Sequence, residues 1–228
     1  MRYALYVSPP ADAPLTRSAA SWLGRDAFSR ETVAQAGAPG IDDAALHAFT
    51  ADPRRYGFHA TIKAPFRLAQ GRTEAELLEA VRQFAARQKP FTLPALALAA
   101  IGPFFALIED EPVAELARFA GEVVRDFEPF RAPLSEADIA RRRPERLSPR
   151  EREHLETWGY PYVFDEFQFH MSLTGAVPVE QSEDMHRALK RHFRGFIGKP
   201  LDIAHIALFE EPEAGADFRV KALVPLAG

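Results

Sequence analysis

Two stretches of this 228-residue chain repeat one short pattern, an aromatic residue, a histidine, one variable residue and a hydroxyl: Phe58-His59-Ala60-Thr61 and Phe169-His170-Met171-Ser172. Elements of the same order follow each copy, and such a repeat constrains the fold more than any single segment does. After the first copy, Thr73 and Glu76 form a capping box that opens a helix, and strands follow near 91–100 and 104–109. After the second come a helix near 179–194 and strands near 201–209 and 218–224. The copies fall on strands near 56–64 and 163–175; a strand near 2–8 and a helix near 15–23 precede the first, and a helix near 112–127 precedes the second. Two copies are too few for a solenoid. The pattern predicts one bilobal, internally duplicated α+β domain over 1–228, with halves at about 1–110 and 111–228. Its two antiparallel sheets face a central cleft, with helices on the outside.

Successive side chains of a strand point to opposite faces. In the first copy Tyr56, Phe58, Ala60 and Ile62 share one face and His59, Thr61 and Lys63 the other; in the second, Phe167, Phe169, Met171 and Leu173 oppose Gln168, His170, Ser172 and Thr174. Each strand thus buries an apolar face and presents an imidazole beside a hydroxyl. A single such motif reads as a surface polar pair. Two copies in a duplicated fold read as the halves of one site, opposed across a pseudo-twofold axis. Two imidazoles that titrate near neutrality divide the acid and base roles. Thr61 and Ser172 then hydrogen-bond non-bridging phosphoryl oxygens, and Lys63 adds positive charge. That is the chemistry of metal-free phosphodiester cleavage, with His59, Thr61, His170 and Ser172 as catalytic candidates and Lys63, Thr174 and, through a bend at Gly57, Tyr56 as binding candidates.

Composition narrows the ligand. A formal net charge of −4 and a pI near 6.0 disfavour long polyanions, whose binding rests on strongly basic surfaces, and leave small phosphorylated metabolites open. The absence of cysteine removes disulfides, thiolate catalysis and Cys-ligated metals, and fits a cytoplasmic setting. The amino terminus reads as a strand and not a leader. The uncharged stretch from Pro90 to Ile108 is broken by Pro94, Gly102 and Pro103, so it reads as two buried strands and not a membrane span.

Residues 131–160 are arginine-rich and have no counterpart before His59. Pro144 and Pro149 split the segment into short helices, with Ser148-Pro149 a helix start. It reads as a solvated face, with a lid carrying Arg141, Arg142 or Arg143 to a phosphate as the alternative. His47, His154, His186, His192 and His205 lack a hydroxyl two positions on and lack zinc-site spacing, so they read as core or surface residues. A metal held by His59 and His170 lacks a third ligand on these faces and would sit beside Lys63.

The pair His59-x-Thr61 and His170-x-Ser172 resembles the signature of the 2H, or two-histidine, phosphoesterases, which include RNA ligase-like and cyclic phosphodiesterase proteins. The strings Tyr-Gly-Phe-His-Ala-Thr-Ile-Lys-Ala-Pro-Phe and Phe-His-Met-Ser-Leu-Thr-Gly resemble a bacterial subgroup associated with phosphonate-utilisation operons. The resemblance implies a bilobal fold and a cofactor-free hydrolase acting on a small cyclic or linear phosphodiester of nucleotide or ribose-phosphate type. An RNA 2′,3′-cyclic phosphate ligase and a non-catalytic phosphometabolite-binding regulator are the alternatives.

Overall fold

In the computed structural model, which describes residues 1–228, the class is α+β and the strands pair antiparallel. Local signals account for most elements. β1 (Arg2–Val7) leads to α1 (Pro14–Leu23), which starts with proline in its first turn and stops at Gly24 in the left-handed region. Two short helices follow, α2 (Asp43–Phe49) and α3 (Ala51–Tyr56). β2 (Ala60–Phe66) then carries the first motif, and the Thr73/Glu76 capping box opens α4 (Glu74–Ala86). β3 (Phe91–Leu93), β4 (Leu96–Ile101), β5 (Phe104–Glu109) and α5 (Ala114–Asp126) complete this run.

The arginine-rich segment folds into α6 (Glu136–Arg141) and α7 (Pro149–Trp158), each opened by its own capping box, Ser135 with Asp138 and Ser148 with Glu151. β6 (Met171–Ser172), α8 (Val179–His192), β7 (Leu201–Ile203), β8 (His205–Glu211) and β9 (Arg219–Pro225) end the chain. No helix is long and apolar enough to cross a membrane.

Three expected strands are redrawn. Tyr56 belongs to α3, and the first-motif strand begins at Ala60 after a turn at Gly57, whose φ of 77° and contact with Ala27 exclude a side chain. The strand expected over 91–100 breaks at Pro94 into β3 and β4, and β3 leaves to pair with β7 as a separate two-stranded sheet. The strand expected over 163–175 keeps only Met171 and Ser172 in its ladder, because a 3-10 turn occupies Phe164–Glu166 and Leu173 and Thr174 both donate to the single carbonyl of Phe105.

Apart from the two-stranded β3-β7 sheet, the strands of the two halves join in one seven-stranded antiparallel sheet of order β4-β5-β6-β2-β1-β8-β9. Its physical basis is the pairing of β2 with β6 at Ala60 and Met171, which joins the two copies edge to edge. The units β2-α4-β4-β5 and β6-α8-β8-β9 do run in the same order, yet each motif strand lies with the hairpin of the other copy: β6 next to β5, and β2, through β1, next to β8. The main core forms from apolar residues of the sheet with α1, α4, α5 and α8, including Trp22, Phe84, Phe119 and Phe193. A smaller cluster of Ala4, Tyr6, Ala27, Ala207, Phe209 and Phe218 packs separately.

Candidate functional site

Ala60 and Met171, the middle residues of the two motifs, face each other across the antiparallel seam, and both are fully buried. One step either way, this register sets His59 opposite Ser172 and Thr61 opposite His170. All four side chains therefore leave from the face opposite the Ala60 and Met171 methyl and thioether groups. The histidines occupy the diagonal of the pair, where backbone separations are about 7–8 Å. One tetrahedral phosphate with a hydrogen bond on either side spans such a gap.

The same backbone device fixes each ring. His59 Nδ1–H donates to the Gly57 carbonyl at 2.8 Å and His170 Nδ1–H donates to the Gln168 carbonyl at 2.9 Å. A carbonyl only accepts, so each neutral imidazole carries its proton on Nδ1 and leaves Nε2 as a base. At His59 the Thr61 hydroxyl donates to Nε2 at 3.1 Å. The surroundings of the rings differ. His59 stacks on Tyr6, with ring centroids 3.7 Å apart and planes 20° from parallel, and lies near Tyr56 and Phe209. Phe104 lies 5.9 Å from His170. Desolvation pushes His59 down from the usual 6.5 to about 4; the Gly57 carbonyl opposes the shift and His170 adds to it. His59 is therefore neutral at pH 7.

A cavity of about 320 Å³ opens beside these motifs, lined in part by His59, Thr61, Ser172, Tyr6, Tyr56 and Phe104, with His170 outside its lining. Tyr56, ending α3, reaches it because Gly57 turns the chain before His59. Thr174 borders it too, and its hydroxyl accepts the Phe105 amide at 3.0 Å, which ties it to β5 and leaves its O–H free to donate. Lys63 does not face the site. Between the pairs Tyr6–Thr61 and Leu5–Lys63 the register shifts, leaving Ile62 as an extra residue, and this bulge turns Lys63 to the face of Leu5. There the ammonium is buried, donating to the Val124 carbonyl at 3.0 Å and to Glu128 at 2.8 Å.

Two further cavity residues, Tyr6 and Tyr160, escaped the sequence reading, and a third, Arg142, was named only in the alternative reading of a lid. Tyr6 sits in an apolar strand buried on both faces, where a tyrosine reads as core; it shares the cavity face because it pairs with Thr61. Tyr160 and Arg142 arrive from the arginine-rich segment, which was expected to be a solvated face. Arg142 caps α6, and the capping carboxylate Asp138 also pairs with Arg67 and Arg141, tying α6 to the chain leaving β2. The guanidinium lies 4.8 Å over the Tyr160 ring. Of the discounted histidines, His154 is buried, with Nδ1 3.3 Å from the Pro161 carbonyl, and His192 Nε2 meets the Ser18 carbonyl. Nowhere do three His, Cys, Asp or Glu side chains gather as a metal-binding group.

Residues 61–219 match the family model described as "Protein of unknown function (DUF1045)", and the chain belongs to that family. Over its whole length it is 39% identical to the ribose 1,5-bisphosphate phosphokinase PhnN of Janthinobacterium sp. (strain Marseille), and over 98% of its length 36% identical to the protein of the same name from Laribacter hongkongensis (strain HLHK9). It spans about half the length of these curated relatives, 51% and 52%. Among solved structures it is similar to E. coli LigT complexed with NADP+, with 15% identity, a TM-score of 0.45, and coverage of 100% of this chain and 98% of that one.

Proposed function

We propose that this chain is a two-histidine phosphodiesterase that hydrolyses a small phosphodiester without a metal ion. The Ala60–Met171 register supports the reading, because strand alternation from that pair turns His59, Thr61, His170 and Ser172 to one face. His59, neutral and with Nε2 unprotonated, is the base. Its Nε2 takes a proton from water as the water oxygen bonds to phosphorus. His170 enters as imidazolium and gives its Nε2 proton to the departing ester oxygen as the P–O bond breaks, so the products are a phosphomonoester and an alcohol. The turnover leaves His59 protonated and His170 neutral, and proton exchange with solvent resets both. Thr61 and Ser172 hydrogen-bond the non-bridging oxygens where charge grows; the Thr61 hydroxyl leaves His59 Nε2 to do so. The name of the half-matched relatives, a kinase of ribose 1,5-bisphosphate, favours a ribose-phosphate type of diester, with a place in phosphonate metabolism.

The test is hydrolysis of 2′,3′-cyclic nucleotides and cyclic ribose phosphates in EDTA. Activity is expected in the intact protein, with kcat falling about 100- to 10,000-fold in His59→Ala and in His170→Ala. Turnover that survives unchanged in both variants refutes the assignment. Ester binding with no product over hours favours a regulator instead.

A further inference from the structure

The cavity holds more polar recognition than one phosphodiester uses. The Tyr6 hydroxyl is fully buried and has no hydrogen-bond partner. An orphaned buried donor costs about 1–3 kcal/mol, so it marks a place where another molecule is expected to supply the acceptor. Burial raises the Tyr6 pKa well above 10, and the nearby phenols of Tyr56 and Tyr160 raise it further, so the group stays a donor. Those two phenols and Arg142 lie close enough to act on it electrostatically, and all of them line the cavity.

Arg142 is set apart by its place: Arg143, Arg146 and Arg152 also make no ion pair, but they are exposed, whereas Arg142 is half-buried and lines the cavity. Arg131 pairs with Glu128, Arg141 with Asp138, and Arg150 with Glu153 and Asp165. Arg142 makes no ion pair; it is half-buried and held over Tyr160. A half-buried guanidinium without a carboxylate, beside a buried phenol without an acceptor, is a site built for an anion. Asp52, the cavity's carboxylate, is exposed on α3 against Gly175, a position suited to a ligand hydroxyl.

We propose that Arg142, Tyr160, Tyr56 and Tyr6 form a second phosphate subsite, so that the substrate is a compact phosphodiester carrying a further phosphoryl group. This rests on the phosphodiesterase reading for the word substrate, but the subsite stands or falls on binding alone. A cavity of about 320 Å³ suits a bisphosphorylated sugar better than a dinucleotide or an RNA end.

Calorimetry on the whole chain tests it with ribose 5-phosphate and ribose 1,5-bisphosphate as probes. The bisphosphate is expected to bind about 10- to 100-fold more tightly than the monophosphate. Arg142→Gln should bring that ratio close to one, Arg142→Lys should restore part of it, and Tyr6→Phe, which keeps the ring against His59, should lower it several-fold. Circular dichroism establishes that each variant is folded. Equal affinity for the two probes, or a ratio unchanged in Arg142→Gln, overturns the subsite. A preference for bisphosphate without hydrolysis of any diester leaves the subsite standing and removes only the reaction. Hydrolysis with no preference for a second phosphate does the reverse.

Discussion

His59 and His170 occupy matching positions and make matching backbone hydrogen bonds, yet Tyr6, Tyr56 and Phe209 crowd only His59. The crowding has a measurable consequence for stability. In the unfolded chain His59 titrates at about 6.5, and in the fold at about 4, so between those values the unfolded state binds more protons. Stability contributed by keeping this ring neutral is complete above pH 6.5 and is lost as pH falls toward 4. For a half-buried ring the loss is about 2 kcal/mol, equivalent to about 4–8 °C in Tm. Differential scanning calorimetry from pH 7 to 4 should find a smaller decline in His59→Asn, and an identical decline in both proteins refutes the depressed pKa. In the free enzyme, kcat/KM should rise with pH through the titration of His59 near 4, a limb that a profile flat between pH 3.5 and 6 would rule out. At this scale the motif histidines and hydroxyls were legible, because alternation needs only the local sequence. Tyr6 was not, since its role comes from a partner strand more than 50 residues away and from a missing hydrogen bond.

Elements were legible where the signal is local. The capping boxes, the proline starts and Gly57 mark boundaries through the backbone groups that they satisfy or permit. The bulge at Ile62 has no such mark. It arises from how β1 and β2 are paired, and it moved Lys63 from the expected site to a buried bond with Glu128. Desolvation lowers the Lys63 pKa while Glu128 resists the change, as expected for an ammonium used as a structural tie between β2 and the end of α5. Lys63→Met should destabilise the protein by about 1–3 kcal/mol in urea unfolding, by stranding the Val124 carbonyl, while kcat/KM of the folded protein stays within about twofold. A tenfold loss of kcat/KM with unchanged stability would put the ammonium back in the reaction. The arginine-rich segment was read as a solvated face, with a lid carrying Arg141, Arg142 or Arg143 to a phosphate as the alternative; what sequence could not convey is which of the three lines the cavity, because that depends on Asp138 holding Arg67 and Arg141 while Arg142 lies over Tyr160.

Across the whole molecule the repeat was readable as an order of elements, but the exchange of hairpins between copies was not. β6 needs β5 beside it, β8 needs β1, and β7 pairs only with β3. Residues 1–110 and 111–228, produced separately, are therefore expected to lack near-UV circular dichroism and cooperative unfolding, while the intact chain melts in one transition. Two independent transitions that match those of the fragments would refute this. The Nδ1 bonds to the Gly57 and Gln168 carbonyls have a different kind of consequence. A carbonyl belongs to every residue, so the groups that set each imidazole's tautomer are written by no particular side chain and cannot be deleted by exchanging one. Gene drift can reach them only by bending the backbone, most directly at Gly57, where a side chain does not fit. The mutational target for loss of proton placement thus shrinks to the histidines themselves and one glycine.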